Sequence, residues 1–190
     1  MTNPSQVHPK CSKTALVHNL AQVVSHLAYR VEKAISNGHP GTPQAATQAR
    51  LAASACLRNG DKTEAEFYFA LALAAVRADK LTWSEEILRS LFDLFLIRFE
   101  TCNLEQILPL VEEMIPHLER AEKESGRSPI GTADLLHLKS YMLCVQRKYD
   151  EAVVALTQCL AIRKKHFGAD NRLVQQNAQT LEELKKKESA

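Results

Sequence analysis

The chain has 190 residues, with 24 basic and 22 acidic side chains that give a net charge of +2. Hydrophobic residues make up 45% and charged residues 24%, as in a folded globular domain and unlike a disordered chain. The six glycines form no phosphate-binding loop pattern, which excludes a P-loop, and so small a net charge does not indicate a nucleic-acid partner.

The N-terminal residues fall into two predicted parts. Residues 1–12 contain two prolines and no periodicity, so we expect a flexible N-terminal arm, followed by a single helical domain over 13–190. Between residues 14 and 37 the apolar side chains recur at helical spacing, which predicts an amphipathic N-terminal helix over about 13–38. Gly38 and Pro40 would end this helix.

Next, the sequence predicts a helix hairpin over about 43–79. Thr42 with Pro43 is a typical helix start, and that helix would run to about Asn59. Gly60-Asp61 would form the turn into a second helix over about 63–78.

A second hairpin is predicted over about 83–124. Thr82-Trp83-Ser84-Glu85 has the pattern of a capping box before an apolar helix over about 84–100. The partner helix, over about 104–124, contains Pro109 and Pro116, which predict a kink or a late start.

The C-terminal part predicts a third hairpin over about 132–167 and a capping helix over about 170–187. Thr132 would cap the first helix of this hairpin, and Gly168 would end the second. Asp170 or Asn171 would cap the last helix. No segment alternates with the period of a half-buried strand, so the prediction is an all-α fold of about eight antiparallel helices.

The second helices of the three hairpins share one apolar register. Taking Ala65, Ile107 and Ala152 as starting points, apolar residues follow at offsets +4, +7 and +8 in each helix. These offsets form one face of a helix, which we expect to pack on the helix before it.

The first and third hairpins resemble the tetratricopeptide repeat (TPR) family. In the first hairpin the resemblance rests on a turn at Gly60 followed by Ala65, Phe69 and Ala72. In the third hairpin it rests on Tyr149, Ala152, Leu156 and Cys159. Small residues, Ala53 and Ser140, also stand twelve positions before the two alanines Ala65 and Ala152. Ala65 and Ile107 are 42 residues apart, and Ile107 and Ala152 are 45 residues apart. These spacings are similar to those of the longer repeats of kinesin light chains. The resemblance implies stacking of the hairpins into a right-handed superhelix.

In this family the first helix of each hairpin lines a concave groove, so the resemblance implies a partner-binding surface there. The candidate partner-binding residues by register are Arg50, Ser54, Arg58, Arg89, Phe92, Leu96, Phe99, His137 and Tyr141. The apolar members would bury side chains of a bound peptide or amphipathic helix, and the arginines would orient its acidic flanks. An alternative from the residues themselves is that Phe92, Leu96 and Phe99 belong to the core, because this helix is apolar all round.

We therefore expect a non-enzymatic protein-interaction module, an adaptor or scaffold, with no cofactor or metal. It would bind another protein, and neither nucleic acid nor membrane, as a monomer or homodimer. Five cysteines without short spacing, no signal-like N-terminus and no long apolar run lead us to expect a reducing, cytoplasmic location. Two alternatives stay open: a repeat-containing chaperone for a secreted or assembly client, and a helical regulatory domain with a small-molecule pocket.

Overall fold

A computed structural model describes residues 43–79, 84–101 and 104–188. Within these ranges the chain forms seven α-helices and no strand, as the all-α prediction requires. The helices are α1 (Gln44–Arg58), α2 (Lys62–Ala78), α3 (Ser84–Glu100), α4 (Ile107–Glu124), α5 (Ile130–Val145), α6 (Tyr149–Phe167) and α7 (Arg172–Glu188). The predicted arm over 1–12 and the predicted N-terminal helix over 13–38 lie outside the described residues, and so do Thr42, Thr82 and Trp83.

Local sequence signals account for several helix ends. Asp61 caps α2 by accepting a hydrogen bond from the backbone N–H of Glu64 at 2.9 Å. Gly60 in the turn before it has φ +81°, a left-handed conformation that costs glycine little. At α7, the side chain of Asn171 accepts from the N–H of Leu173 at 2.9 Å, which confirms Asn171 as the capping residue.

Of the two prolines in α4, Pro109 has the predicted effect. A short 3-10 turn over Leu104–Gln106 precedes α4, whose α-helical hydrogen bonding starts at Ile107. Pro109 therefore lies in the first turn, where its missing N–H would have no helical partner. This is the late start that the sequence predicts, whereas Pro116 is accommodated inside the helix.

One predicted cap is wrong. The sequence predicts Thr132 as the cap of α5, but this helix begins two residues earlier, at Ile130, after Pro129. Thr132 lies inside the first turn and donates its hydroxyl proton to the carboxylate of Glu122 in α4 at 2.7 Å. The buried carboxylate of Glu122 thus accepts hydrogen bonds at the start of α5, as an N-cap side chain would.

The core follows the predicted apolar register. Ala65, Ile107 and Ala152 are all fully buried. Of the nine residues at the later offsets eight are buried and Ile115 is half-buried; the nine are Phe69, Ala72, Leu73, Val111, Met114, Ile115, Leu156, Cys159 and Leu160. The second helix of each hairpin therefore presents the predicted face to the interior.

Each described helix packs on the next one along the chain. Three ion pairs among the described residues also reach one helix further: Arg50 of α1 pairs with Glu86 and Asp93 of α3, and Arg77 of α2 pairs with Glu113 of α4. The first two hairpins, α1–α2 and α3–α4, are thus joined through both of their helices. No described helix combines the length and the apolar character that crossing a membrane demands.

Candidate functional site

The site begins with Arg50, a predicted partner-binding residue, which lies in a charged network between α1 and α3. Both of its terminal nitrogens are 3.1 Å from one carboxylate oxygen of Glu86, and Nη2 donates to the hydroxyl of Ser90 at 2.6 Å. Its Nε is 3.4 Å from Asp93. Because Glu86 and Ser90 are buried, this guanidinium is committed to holding α1 against α3.

Asp93 and Arg89 complete the network on α3. Burial raises the pKa of Asp93 to about 6, against the opposing attraction of Arg50 and Arg89. Arg89 lies 3.9 Å from Glu86 and keeps about a third of its side chain exposed. Two arginines thus face two carboxylates, an almost balanced set of charges at the junction of the first two hairpins.

The three predicted apolar anchors on α3 differ in exposure. Phe92 is only 6% exposed and stacks on Phe95, at 5.8 Å between ring centroids. It packs in the core of the described residues, where the alternative interpretation puts it. Leu96 and Phe99 are half-buried and pack against the core from its edge, with part of each side chain open to solvent.

Two further predicted residues lie on α1. Ser54 is half-buried, and its hydroxyl donates to the backbone carbonyl of Arg50 at 2.9 Å, a bond within its own helix. Arg58 is exposed in the last turn of α1, where a cation also complements the helix dipole. Of these two residues, Arg58 has the more accessible side chain.

The predicted residues of α5 lie beside a buried ion pair. Arg163 of α6 donates to Asp134 of α5 at 2.7 Å, and both side chains are more than nine-tenths buried. Burial, together with the nearby Arg163, lowers the pKa of His137 to about 4, so this half-buried imidazole is neutral at physiological pH. Tyr141, one turn later, is half-buried as well.

Sequence reasoning missed Glu122, the acid that joins α4 to α5. It is 5% exposed and accepts from the N–H groups of Gly131 and Thr132 at 2.7 and 3.2 Å, in addition to the Thr132 hydroxyl. The signal in the sequence was an acidic residue within an otherwise apolar helical register, eight residues before Ile130. Arg163 was missed for a different reason: it lies in a run of basic residues, which is typical of a solvent-exposed helix end.

The described residues of this site present apolar and charged side chains. Within the described part of the chain, no group of three or more His, Cys, Asp or Glu side chains has the arrangement that a metal ion requires. Burial raises the pKa of the Cys159 thiol to about 11, so it is a weak nucleophile. The sequence matches no known protein-family profile, and a comparison with curated proteins finds no similar sequence.

Proposed function

We propose that this chain is a non-enzymatic protein-interaction module that binds a peptide or an amphipathic helix along the first helices of its hairpins. The observation that carries the proposal is the partial exposure of Leu96, Phe99 and Tyr141 at register positions of the groove. Half-exposed apolar side chains on a rigid helical scaffold offer a partner contact area at little cost in ordering.

The arrangement of α1 and α3 supports a continuous surface. Asp93 and Leu96 are three residues apart, as are Leu96 and Phe99, so the three share one side of α3. The ion pairs of Arg50 with Glu86 and Asp93 hold α1 beside α3 next to this side. A bound helix would therefore meet an apolar strip on α3 next to the charged junction.

The arginines have different roles in this proposal. Arg50 positions α3, because its Nη1 and Nη2 donate to Glu86 and Ser90 and its Nε lies 3.4 Å from Asp93. Arg58 and the exposed third of Arg89 are the cations that can steer the acidic flanks of a partner. The finer architecture, TPR-like repeats in a right-handed superhelix, and a cytoplasmic location as a monomer or homodimer form part of the same proposal.

The test is selection of binding peptides from a displayed library of amphipathic sequences, followed by calorimetry with the tightest peptide. We expect Leu96→Asp to weaken that peptide at least tenfold, because a carboxylate replaces an apolar contact. The control is Val154→Asp, at a side chain 58% exposed on α6, which should leave the affinity unchanged. Circular dichroism on both variants verifies that the helices persist.

A second variant keeps the test decisive if Leu96→Asp unfolds. Arg58→Glu reverses an exposed charge and changes no core residue. It should lower the affinity for a peptide with acidic flanks several-fold, and the loss of affinity should be larger at low salt. A library that yields no binder, or a peptide that binds wild type and both variants equally, would overturn the proposal. Light scattering that gives a stable dimer would favour the chaperone alternative.

A further inference from the structure

A pocket of about 420 Å³ lies between the loop before α5 and the last turns of α6. Most of its lining is apolar and it is partly open to solvent; the lining residues are Ser128, Pro129, Ala161, Ile162, Lys165 and His166. Sites for small organic ligands enclose about 300–1,000 Å³ and combine an apolar lining with a few polar groups. The pocket meets both criteria, and none of its residues belongs to the proposed groove.

One hydrogen bond joins the two walls of this pocket. Ser128 Oγ on the loop lies 2.8 Å from Nδ1 of His166 on α6, across 38 residues of sequence. The ring of His166 also packs edge-on against Phe167, at 4.6 Å between centroids. These two contacts fix the orientation of the imidazole at the pocket and leave its Nε2 for a ligand.

The ionisable side chains that line the pocket are basic. Lys165 and His166 are among the six lining residues, and none of the six is acidic. Arg163 is committed to Asp134 in the interior. Lys165 is exposed at the pocket and forms no ion pair within the described part of the chain.

We propose that this pocket binds a small organic anion, with its acidic head at Lys165 and His166 and its apolar body on Ile162, Ala161 and Pro129. The positive charge of Lys165 attracts the acidic head, and burial of a short hydrocarbon chain against the apolar side chains adds to the binding free energy. A carboxylic acid and a phosphate monoester share this chemistry. This site would act in addition to the proposed function and does not depend on it.

The probes are hexanoate, hexyl phosphate and the neutral analogue hexanamide, titrated into the full-length protein and followed by backbone amide NMR shifts. We expect both anions to shift the amides of Ser128 and Ile162, the tighter one identifying the preferred head group. Hexanamide should bind at least threefold more weakly than hexanoate. Added salt should reduce the difference in affinity between hexanoate and hexanamide.

Two pairs of variants locate the site. Ala161→Phe should abolish anion binding by filling the pocket, whereas Thr157→Phe, exposed one turn earlier on α6, should not. Lys165→Gln should weaken hexanoate several-fold, whereas Lys186→Gln, exposed on α7, should have no effect. Binding that is equal for hexanoate and hexanamide, unchanged by Ala161→Phe, or undetectable at millimolar concentration would overturn the proposal.

Discussion

The buried pair of Asp134 and Arg163 allows a quantitative test of how α5 and α6 are held together. Replacing Asp134 with Leu removes the carboxylate and leaves the guanidinium of Arg163, 2% exposed, without its counter-charge. Removing one partner of such a pair costs about 3–5 kcal/mol. For a chain of this length that corresponds to a fall in melting temperature of roughly 6–20 °C.

The second half of the test is the paired replacement Asp134→Leu with Arg163→Met. Nε and Nη1 of Arg163 are buried without hydrogen-bond partners, so removing the guanidinium also removes two unsatisfied donors. The double variant should therefore recover most of the stability lost by the single one, to within about 2 kcal/mol of wild type.

Urea unfolding followed by circular dichroism measures all three proteins, with Glu151→Gln as the control. Glu151 pairs with Lys148 at 3.8 Å, and both side chains are more than half exposed, so its loss should cost less than about 1 kcal/mol. An Asp134→Leu variant as stable as this control, or a double variant as unstable as the single one, would refute the reasoning.

Three further predictions concern single residues. Phe92→Ala should destabilise the fold by about 3–5 kcal/mol in urea unfolding, because a core aromatic is lost. Gly131→Ala, which helix propensity alone would favour, should lower the melting temperature, because its Cβ would lie 2.7 Å from Oε1 of the hydrogen-bonded Glu122. Asp93 has a folded pKa raised to about 6, so its contribution to stability should decline as pH rises from about 4 to about 6; Asp93→Asn should gain stability relative to wild type over that window in urea melts.

The helices themselves were accessible from the sequence because their signals are local. The predicted extent of α3 agrees with Ser84–Glu100. Asp61 and Asn171 marked helix starts because they accept hydrogen bonds from N–H groups of their own helices, and Pro109 did so because it has no N–H. The burial of Ala65, Ile107 and Ala152 followed from the same periodicity.

The polar interactions between helices were not accessible in this way. Arg50 looked like a free cation of a groove, yet Glu86 and Asp93, about 40 residues later, occupy it. Thr132 looked like a cap, yet Glu122 from another helix satisfies the start of α5. A sequence pattern reports which face of a helix is apolar, but the choice of partner for a buried charge depends on the tertiary arrangement.

Contacts that run mainly from each helix to the next have a consequence for how this chain reaches its native state. Few of the native neighbours have to be found across long stretches of unfolded chain, so little loop-closure entropy opposes the early steps. Folding should therefore be rapid for a chain of this size. Protection from hydrogen exchange should decrease from α4 and α5 toward α7, which among the described helices packs mainly on α6.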